Sequence, residues 1–171
     1  MSFSRTIKDI YVPLAEYPNI RDTANLKDAF AVLYGAYSSG KRFRHILVLD
    51  AQDHLVGLLG IRDLLRGLFP DYLRTAEHSH FEGAQSEFPA LTLIWQETCA
   101  TQCKEAAQHP IKGFMAAVPT RVKASDPVTL AAYLMVVHDT SMLPVTDGKR
   151  VVGAVRMIDV FNEASKAVLH D

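Results

Sequence analysis

The sequence predicts an α/β (α+β) fold in which one β-α-β-β-α unit is used twice, with a helix connecting the copies. Three observations carry this. Residues 46–65, ILVLDAQDHLVGLLGIRDLL, and residues 143–161, LPVTDGKRVVGAVRMIDVF, follow one pattern. An apolar run meets Asp and a polar turn, then an apolar pair, a Gly, a second apolar run and an Asp that opens a helical pattern. The register is kept: Gly57 answers Gly153 and Asp63 answers Asp159 at an offset of 96, and Asp50 answers Asp147 at 97 because the first turn is one residue longer. Upstream, residues 18–33, PNIRDTANLKDAFAVL, resemble residues 122–137, VKASDPVTLAAYLMVV, at an offset of 104.

In chain order, each upstream segment predicts an extended start, an Asp-containing turn and a helix. Asp22 or Thr23 is the expected cap of the first helix and Ser125 or Asp126 that of the second. Leu26, Phe30 and Leu33 fall at helical spacing, as do Leu130, Leu134 and Val137. An extra stretch, YGAYSSGKRFR, separates helix from hairpin in the first copy only and accounts for the change of offset. The β-branched and leucine-rich hairpin strands suit a sheet buried against helices. Residues 70–88 are polar with Pro, Gly and Ser and read as a loop. Pro89 suits a helix start, and residues 89–108 place Leu91, Ile94, Trp95, Cys99 and Cys103 on roughly one face, ending at His109-Pro110. This connecting helix is expected to pack on the second copy. The organisation is thus 1–69 for the first copy, 70–110 for loop and connecting helix, and 111–171 for the second.

Composition excludes several function classes. The chain has 171 residues, 49% hydrophobic and 22% charged, with a formal net charge of −1. That is an ordinary globular composition. The near-zero charge gives no field to hold a nucleic-acid backbone or an anionic membrane surface. Two cysteines make no disulfide scaffold. The start, MSFSRTIKDIYVPL, lacks the basic and apolar regions of a signal peptide, and no apolar stretch nears the roughly 20 residues that span a bilayer. A cytoplasmic location is the expectation.

The duplicated hairpin with its mid-strand Gly57 and Gly153, the Leu143-Pro144-Val145 entry and the strand-ending Asp63 and Asp159 resemble the two motifs of a CBS domain pair, or Bateman module. The resemblance covers roughly residues 7–69 and 111–169. It implies two sheets packed with pseudo-two-fold symmetry and two clefts between them. In this family such clefts often bind AMP, ADP, ATP or S-adenosylmethionine, pairs commonly dimerise, and ligand occupancy regulates another protein rather than catalysing a reaction. With the pair and its connector taking up the 171 residues, no attached effector domain is expected, and the expected partner is a second copy or another protein.

A nucleoside asks three things of a pocket. The ribose diol needs a fixed carboxylate, and the resemblance assigns this to Asp63 and Asp159. The base needs an apolar slot, for which Ile46, Ile61, Val122, Leu143 and Met157 are candidates. Phosphates need cations or helix N-termini, and Arg44, His45, Arg62, Lys123 and Arg156 lie on strand ends and loops that face the cleft in the family. Each Asp has a plainer role as a helix N-cap, which needs no ligand. The sequence departs from the family where Thr or Ser often precedes the Asp by three residues: Gly60 and Arg156 stand there. Gly60 offers only backbone. Arg156 brings a phosphate-binding charge, or else fills the cleft, which would make the chain a ligand-free dimerisation or partner-docking module.

Other motifs carry less. GAYSSGKR, residues 35–42, matches G-x-x-x-x-G-K, but Arg42 replaces the hydroxyl residue of a phosphate-binding loop and a helix precedes it where a strand is needed. It reads as a loop after the first helix, with Gly35 as candidate cap. Cys99 with Cys103, and His78 with His80, have no further ligands at a familiar metal-site spacing. No metal site and no nucleophilic elbow is predicted.

Overall fold

The computed structural model describes residues 5–71 and 88–169. The hairpin of each copy anchors one three-stranded sheet. In the first, β2 (Asn19–Arg21) pairs in parallel with β3 (His45–Leu49), which pairs antiparallel with β4 (Leu55–Gly60). In the second, β5 (Met142–Asp147) pairs antiparallel with β6 (Arg150–Arg156), and β1 (Val12–Pro13) joins the far edge of β6. Helices α1 (Leu26–Ala36) and α2 (Ile61–Leu68) belong to the first copy. Helix α3 (Phe88–Ala106) connects, and α4 (Val128–Val137) and α5 (Met157–Leu169) belong to the second.

The copies exchange their leading segments. Val12 lies opposite Ala154 on β6, and Ala116 bridges Leu58 on β4. Thr6 bridges Pro127 while Pro110 bridges Asn25. Backbone hydrogen bonds repeat the reciprocity: Ile7 N–H donates to Asp126 and Val128 N–H to Arg5, while Ile111 N–H donates to Ala24 and Leu26 N–H to His109. These matched pairs are the pseudo-two-fold relation in atomic terms. The core follows it. One cluster joins Ile46, Leu47 and Leu59 of the first copy to Met142, Val151 and Ala154 of the second, and another gathers Ile7, Val122, Val128, Leu143 and Val155. Each fully buried Leu, Ile or Val contributes roughly 1.5–3 kcal/mol.

The exchange explains the two mid-strand glycines. A Cβ on Gly57 would meet Met115 Sδ at 2.6 Å and the Ala116 carbonyl at 3.3 Å. A Cβ on Gly153 would run into the Val12 carbonyl oxygen, and into the Tyr11 ring at 2.7 Å. Each glycine lets the leading segment of the other copy cross the hairpin at close range.

Several sequence expectations are corrected. The upstream segments correspond at an offset of 102, not 104. Val122 bridges Val145 as Ile20 pairs with Val48, and the buried helix positions are Leu26, Ala29 and Leu33 in α1 against Val128, Ala131 and Met135 in α4. Leu130 and Leu134 are only partly buried and Val137 is exposed. The sequence of α4, VTLAAYLMVV, is apolar on nearly every side, so periodicity fits more than one face. The caps move with the register. Asn25 caps α1, its Oδ1 accepting the Asp28 N–H at 2.9 Å while Asp28 returns a bond to the Asn25 N–H. Pro127 precedes α4 without a side-chain cap, and Asp126 instead accepts the Lys123 N–H. Gly35 is interior to α1, which runs into a π-helical turn over 37–41. Two residues past the end of α1 are left-handed: Gly40 (φ +83°), inside that turn, and Arg42 (φ +50°), just after it. The connecting helix packs on the first copy, not the second. Trp95 meets Phe69 edge-on at 5.4 Å, and the chain after α3 bonds to the first turn of α1 through Ala107 and Lys27. It ends at Ala106, ahead of His109-Pro110. The 72–87 part of the expected polar loop, with His78 and His80, lies outside the described residues.

Candidate functional site

Strand ends and helix starts from both copies meet around a cleft of about 610 Å³. Tyr17, at the entry to β2, and Arg44 and His45, at the entry to β3, form one wall; Arg156, Met157, Asp159 and Phe161, from the β6–α5 junction, form the other. Ser141 and the 40–42 segment complete the rim. The two walls meet because the copies face one another across their pseudo-two-fold axis.

Arg156 and Asp159 dominate the chemistry. Asp159 sits at the third position of α5, not at its N-cap. Arg156, three residues earlier, grips it with two nearly parallel bonds, Nε to Oδ2 at 2.7 Å and Nη2 to Oδ1 at 2.8 Å. Its Nη1 donates to the Lys41 carbonyl at 3.2 Å, and its guanidinium lies 5.4 Å from the centre of the Phe43 ring. Phe43 meets Tyr17 edge-on at 4.9 Å. The Asp159 hydrogen bond holds the guanidinium firmly in its charged form. Burial pushes the Tyr17 phenol well above its ordinary range, so it remains a neutral hydroxyl.

Asp63 occupies the matching third position of α2. Its Oδ2 accepts the Gly60 N–H at 2.8 Å, and Oδ1 lies 3.5 Å from Arg66. Gly60 is the N-cap residue, and a Cβ there would touch the His45 ring at 3.3 Å. Both carboxylates are therefore N3 groups and not the N-caps expected of them. A carboxylate in the first turn favours the helix end either way.

Of the other residues singled out from the sequence, Arg44, His45 and Met157 stand on the cleft with Arg156 and Asp159. Ile46, Val122 and Leu143 are core residues, no more than 2% exposed, and do not line this cleft. The hydrophobic core on the inner side of the sheets claims them. Ile61, Arg62 and Lys123 are exposed, away from this cleft. The apolar surface beside Asp159 comes instead from Tyr17, Met157, Ile158 and Phe161. The sequence analysis singles out neither Tyr17 nor Phe161. The available signal was their position, Tyr17 directly before the Pro18 strand entry and Phe161 two residues after Asp159.

His45 gives the site a pH signature. Burial holds its imidazole below the ordinary 6.5, against the pull of Asp63 and with a smaller push from Arg44. The unfolded chain takes up a proton that the folded chain refuses. This part of the stability is therefore present above pH 6.5 and is lost as pH falls toward the folded-state value. Urea unfolding at about pH 7.5 and about pH 5 should show a larger acid loss in the wild type than in His45→Gln. Equal losses would remove His45 from the account.

Cys99 and Cys103 stand with their sulfurs 3.1 Å apart on α3. Burial pushes the Cys103 thiol up to about 11, which disfavours the thiolate needed to hold a metal. Among the described residues no helix is long and apolar enough to cross a membrane.

Comparison with known proteins agrees with this geometry. A model of the CBS domain family matches residues 7–69 and 111–166. No curated protein matches the sequence. Among solved structures, the chain is similar to the CBS domain of a CBS domain containing membrane protein from Sphaerobacter thermophilus, with 21% identity, a TM-score of 0.66 and coverage of 93% of this chain and 87% of that one. It is also similar to the CBS-pair protein CBSX2 from Arabidopsis thaliana, with 17% identity, a TM-score of 0.66 and coverage of 98% and 99%; CBSX2 is also known in complex with AMP. A third likeness is to the cytosolic domain of the Mg2+ channel MgtE in complex with ATP, with 19% identity, a TM-score of 0.60 and coverage of 90% of this chain and 46% of that one. At these identities the likeness is one of fold. The two matched segments, related by the reciprocal exchange described above, show that the chain belongs to the CBS domain family and carries the motif as a pair.

Proposed function

We propose that this CBS pair is a non-catalytic regulatory module that binds an adenine nucleotide or related adenosyl ligand in the cleft between its motifs. The observation that carries this reading is the about 610 Å³ cleft itself, with a carboxylate, aromatic and apolar surface, and several cations on its walls. That volume lies within the roughly 300–1,000 Å³ of small-molecule pockets. Asp159 is the proposed ribose acceptor once Arg156 releases it. Tyr17, Met157 and Phe161 offer surface for the base. Asp63, with Gly60 and Ile61, marks the pseudo-symmetric position and is proposed as a second acceptor. Relatives in complex with AMP and with ATP support the choice of ligand class. Binding shifts the arrangement of the two motifs by no more than the ligand's differential affinity for the two states, and an effector protein reads that shift.

Isothermal titration of AMP, ATP and S-adenosylmethionine tests the proposal. The wild type should bind at least one of them, and Asp159→Ala should weaken it about tenfold or more, as expected for loss of a charge-assisted pair of hydrogen bonds. Identical heats in both proteins would refute it.

A second reading, a ligand-free assembly module, is favoured by the closed Arg156–Asp159 pair and by apolar side chains left in solvent on the neighbouring helices α4 and α5. Tyr133, Val136, Phe161 and Val168 are all more than 60% exposed. A homodimer that covers Tyr133, Val136 and Val168 is compatible with either reading. Sedimentation equilibrium measures it, and a dimer of Val136→Glu as stable as that of the wild type would exclude α4 from the interface.

A further inference from the structure

The cleft is less symmetric than the fold that forms it. Eight residues, 37–44, separate α1 from β3, whereas four, 138–141, separate α4 from β5. The longer connection contains most of GAYSSGKR, the segment that resembles a phosphate-binding loop in sequence but lacks its strand–loop–helix setting. Its Gly40, Lys41 and Arg42, with Arg44, line the cleft.

The segment is held in place. The Ser38 and Ser39 hydroxyls donate to the Tyr34 and Ala36 carbonyls at 2.8 and 2.6 Å, and Arg156 donates to the Lys41 carbonyl. Arg42 adopts a left-handed backbone, φ +50°, that a side-chain-bearing residue keeps only where its surroundings impose it. Charge is lopsided as well. Among the cleft residues Lys41, Arg42, Arg44 and Arg156 face one carboxylate, Asp159. Arg156 and Asp159 satisfy each other, and Lys41 reaches only an exposed Glu16 at 3.7 Å. A surplus of positive charge therefore remains on the rim, and its members, Lys41, Arg42 and Arg44, all belong to the connection that is longer in the first copy.

We propose that segment 37–44 is a phosphate-binding arm through which the cleft prefers a nucleoside di- or triphosphate to a monophosphate or to the cationic S-adenosylmethionine. The inference rests on the adenosyl reading above for the nucleoside, and on the arm alone for the phosphate chain. Lys41 and Arg42 supply the charge as side chains, not as a backbone cradle.

Titrations of ATP, ADP, AMP, S-adenosylmethionine and sodium tripolyphosphate against the wild type and a Lys41→Ala/Arg42→Gly double variant test it. Glycine suits the left-handed position, and Lys41 is exposed, so the variant should keep the wild-type melting temperature. In roughly 50 mM salt the wild type should bind ATP about tenfold or more tighter than AMP, and the margin should shrink as salt rises. The double variant should lose that margin while its AMP affinity stays within about threefold. Binding of AMP with no ATP preference, or a preference that survives in the variant, overturns the arm and leaves the adenosyl reading standing. Tripolyphosphate binding that the variant loses, with no adenosyl ligand bound, upholds the arm and removes that reading. No binding of any probe overturns both.

Discussion

Gly153→Ala should lower the unfolding free energy by about 3 kcal/mol, near the upper end of the usual cost of overpacking. The reason is the crossing of β1 over β6. The new methyl would occupy the space of the Val12 carbonyl oxygen and the Tyr11 ring, and a backbone carbonyl can yield only by detaching β1 from the sheet. Gly57→Ala is the internal control. There the nearest atom is the end of the flexible Met115 side chain at 2.6 Å, with the Ala116 carbonyl at 3.3 Å, so about 1 kcal/mol is expected. Urea unfolding of both variants checks the order. Equal costs, or a larger cost at Gly57, would mean that the leading segments do not cross as described.

Arg156→Ala should act on stability and on ligand binding at once. It removes a two-bond grip on a carboxylate only 16% exposed at its side chain, together with the contact to the Phe43 ring, and about 2 kcal/mol of stability should go with it. Asp159→Ala removes the same pair from the other side, so the double variant should lose less than the sum, with a coupling of about 1–2 kcal/mol in a mutant cycle. Ligand binding should move the opposite way for a probe without phosphates. Adenosine must displace Arg156 before its ribose can reach Asp159, so Arg156→Ala should bind adenosine roughly tenfold tighter than the wild type, the equivalent of about 1.4 kcal/mol. An additive cycle would deny the pair its structural role. Unchanged adenosine affinity would deny that the pair competes with ribose.

The hairpins were legible in the sequence because two constraints coincide there. Apolar runs buried on both faces mark the strands, and the crossing segments press close at Gly57 and Gly153, so both copies keep the same marks at the same spacing. The helices before them were legible as helices but not in register. Ala29 and Ala131 are the buried positions between the larger residues, and an alanine gives no hydrophobic signal to fix a face. The N-cap positions, Asn25 and Pro127, lie one to three residues beyond the capping residues expected from the sequence. The sequence of the connecting helix does not say which neighbour it meets; the bonds from Leu26 and Lys27 at the start of α1 to the His109 and Ala107 carbonyls place it on the first copy through tertiary structure.

The candidate site was legible in its carboxylates and in Arg156, which sit at fixed places in the repeat. Its walls were not. Ile46, Val122 and Leu143 are apolar strand residues, as a base slot requires, but the core takes them. The cleft is built from 17, 40–45, 141 and 156–162, four stretches that only the folded pair brings together. Lys41 and Arg42 belong to a motif that lacks the strand–loop–helix setting of a phosphate-binding loop. Lacking that setting excludes one way of holding phosphate, not the charges themselves.

A crystal structure of the protein grown with saturating ATP addresses the central claim most directly. Nucleotide density in the inter-motif cleft is expected, with the ribose hydroxyls at roughly 3 Å from the Asp159 carboxylate and Arg156 turned away from it. A cleft without nucleotide and an intact Arg156–Asp159 pair under the same conditions, or nucleotide bound elsewhere on the molecule, would contradict the account.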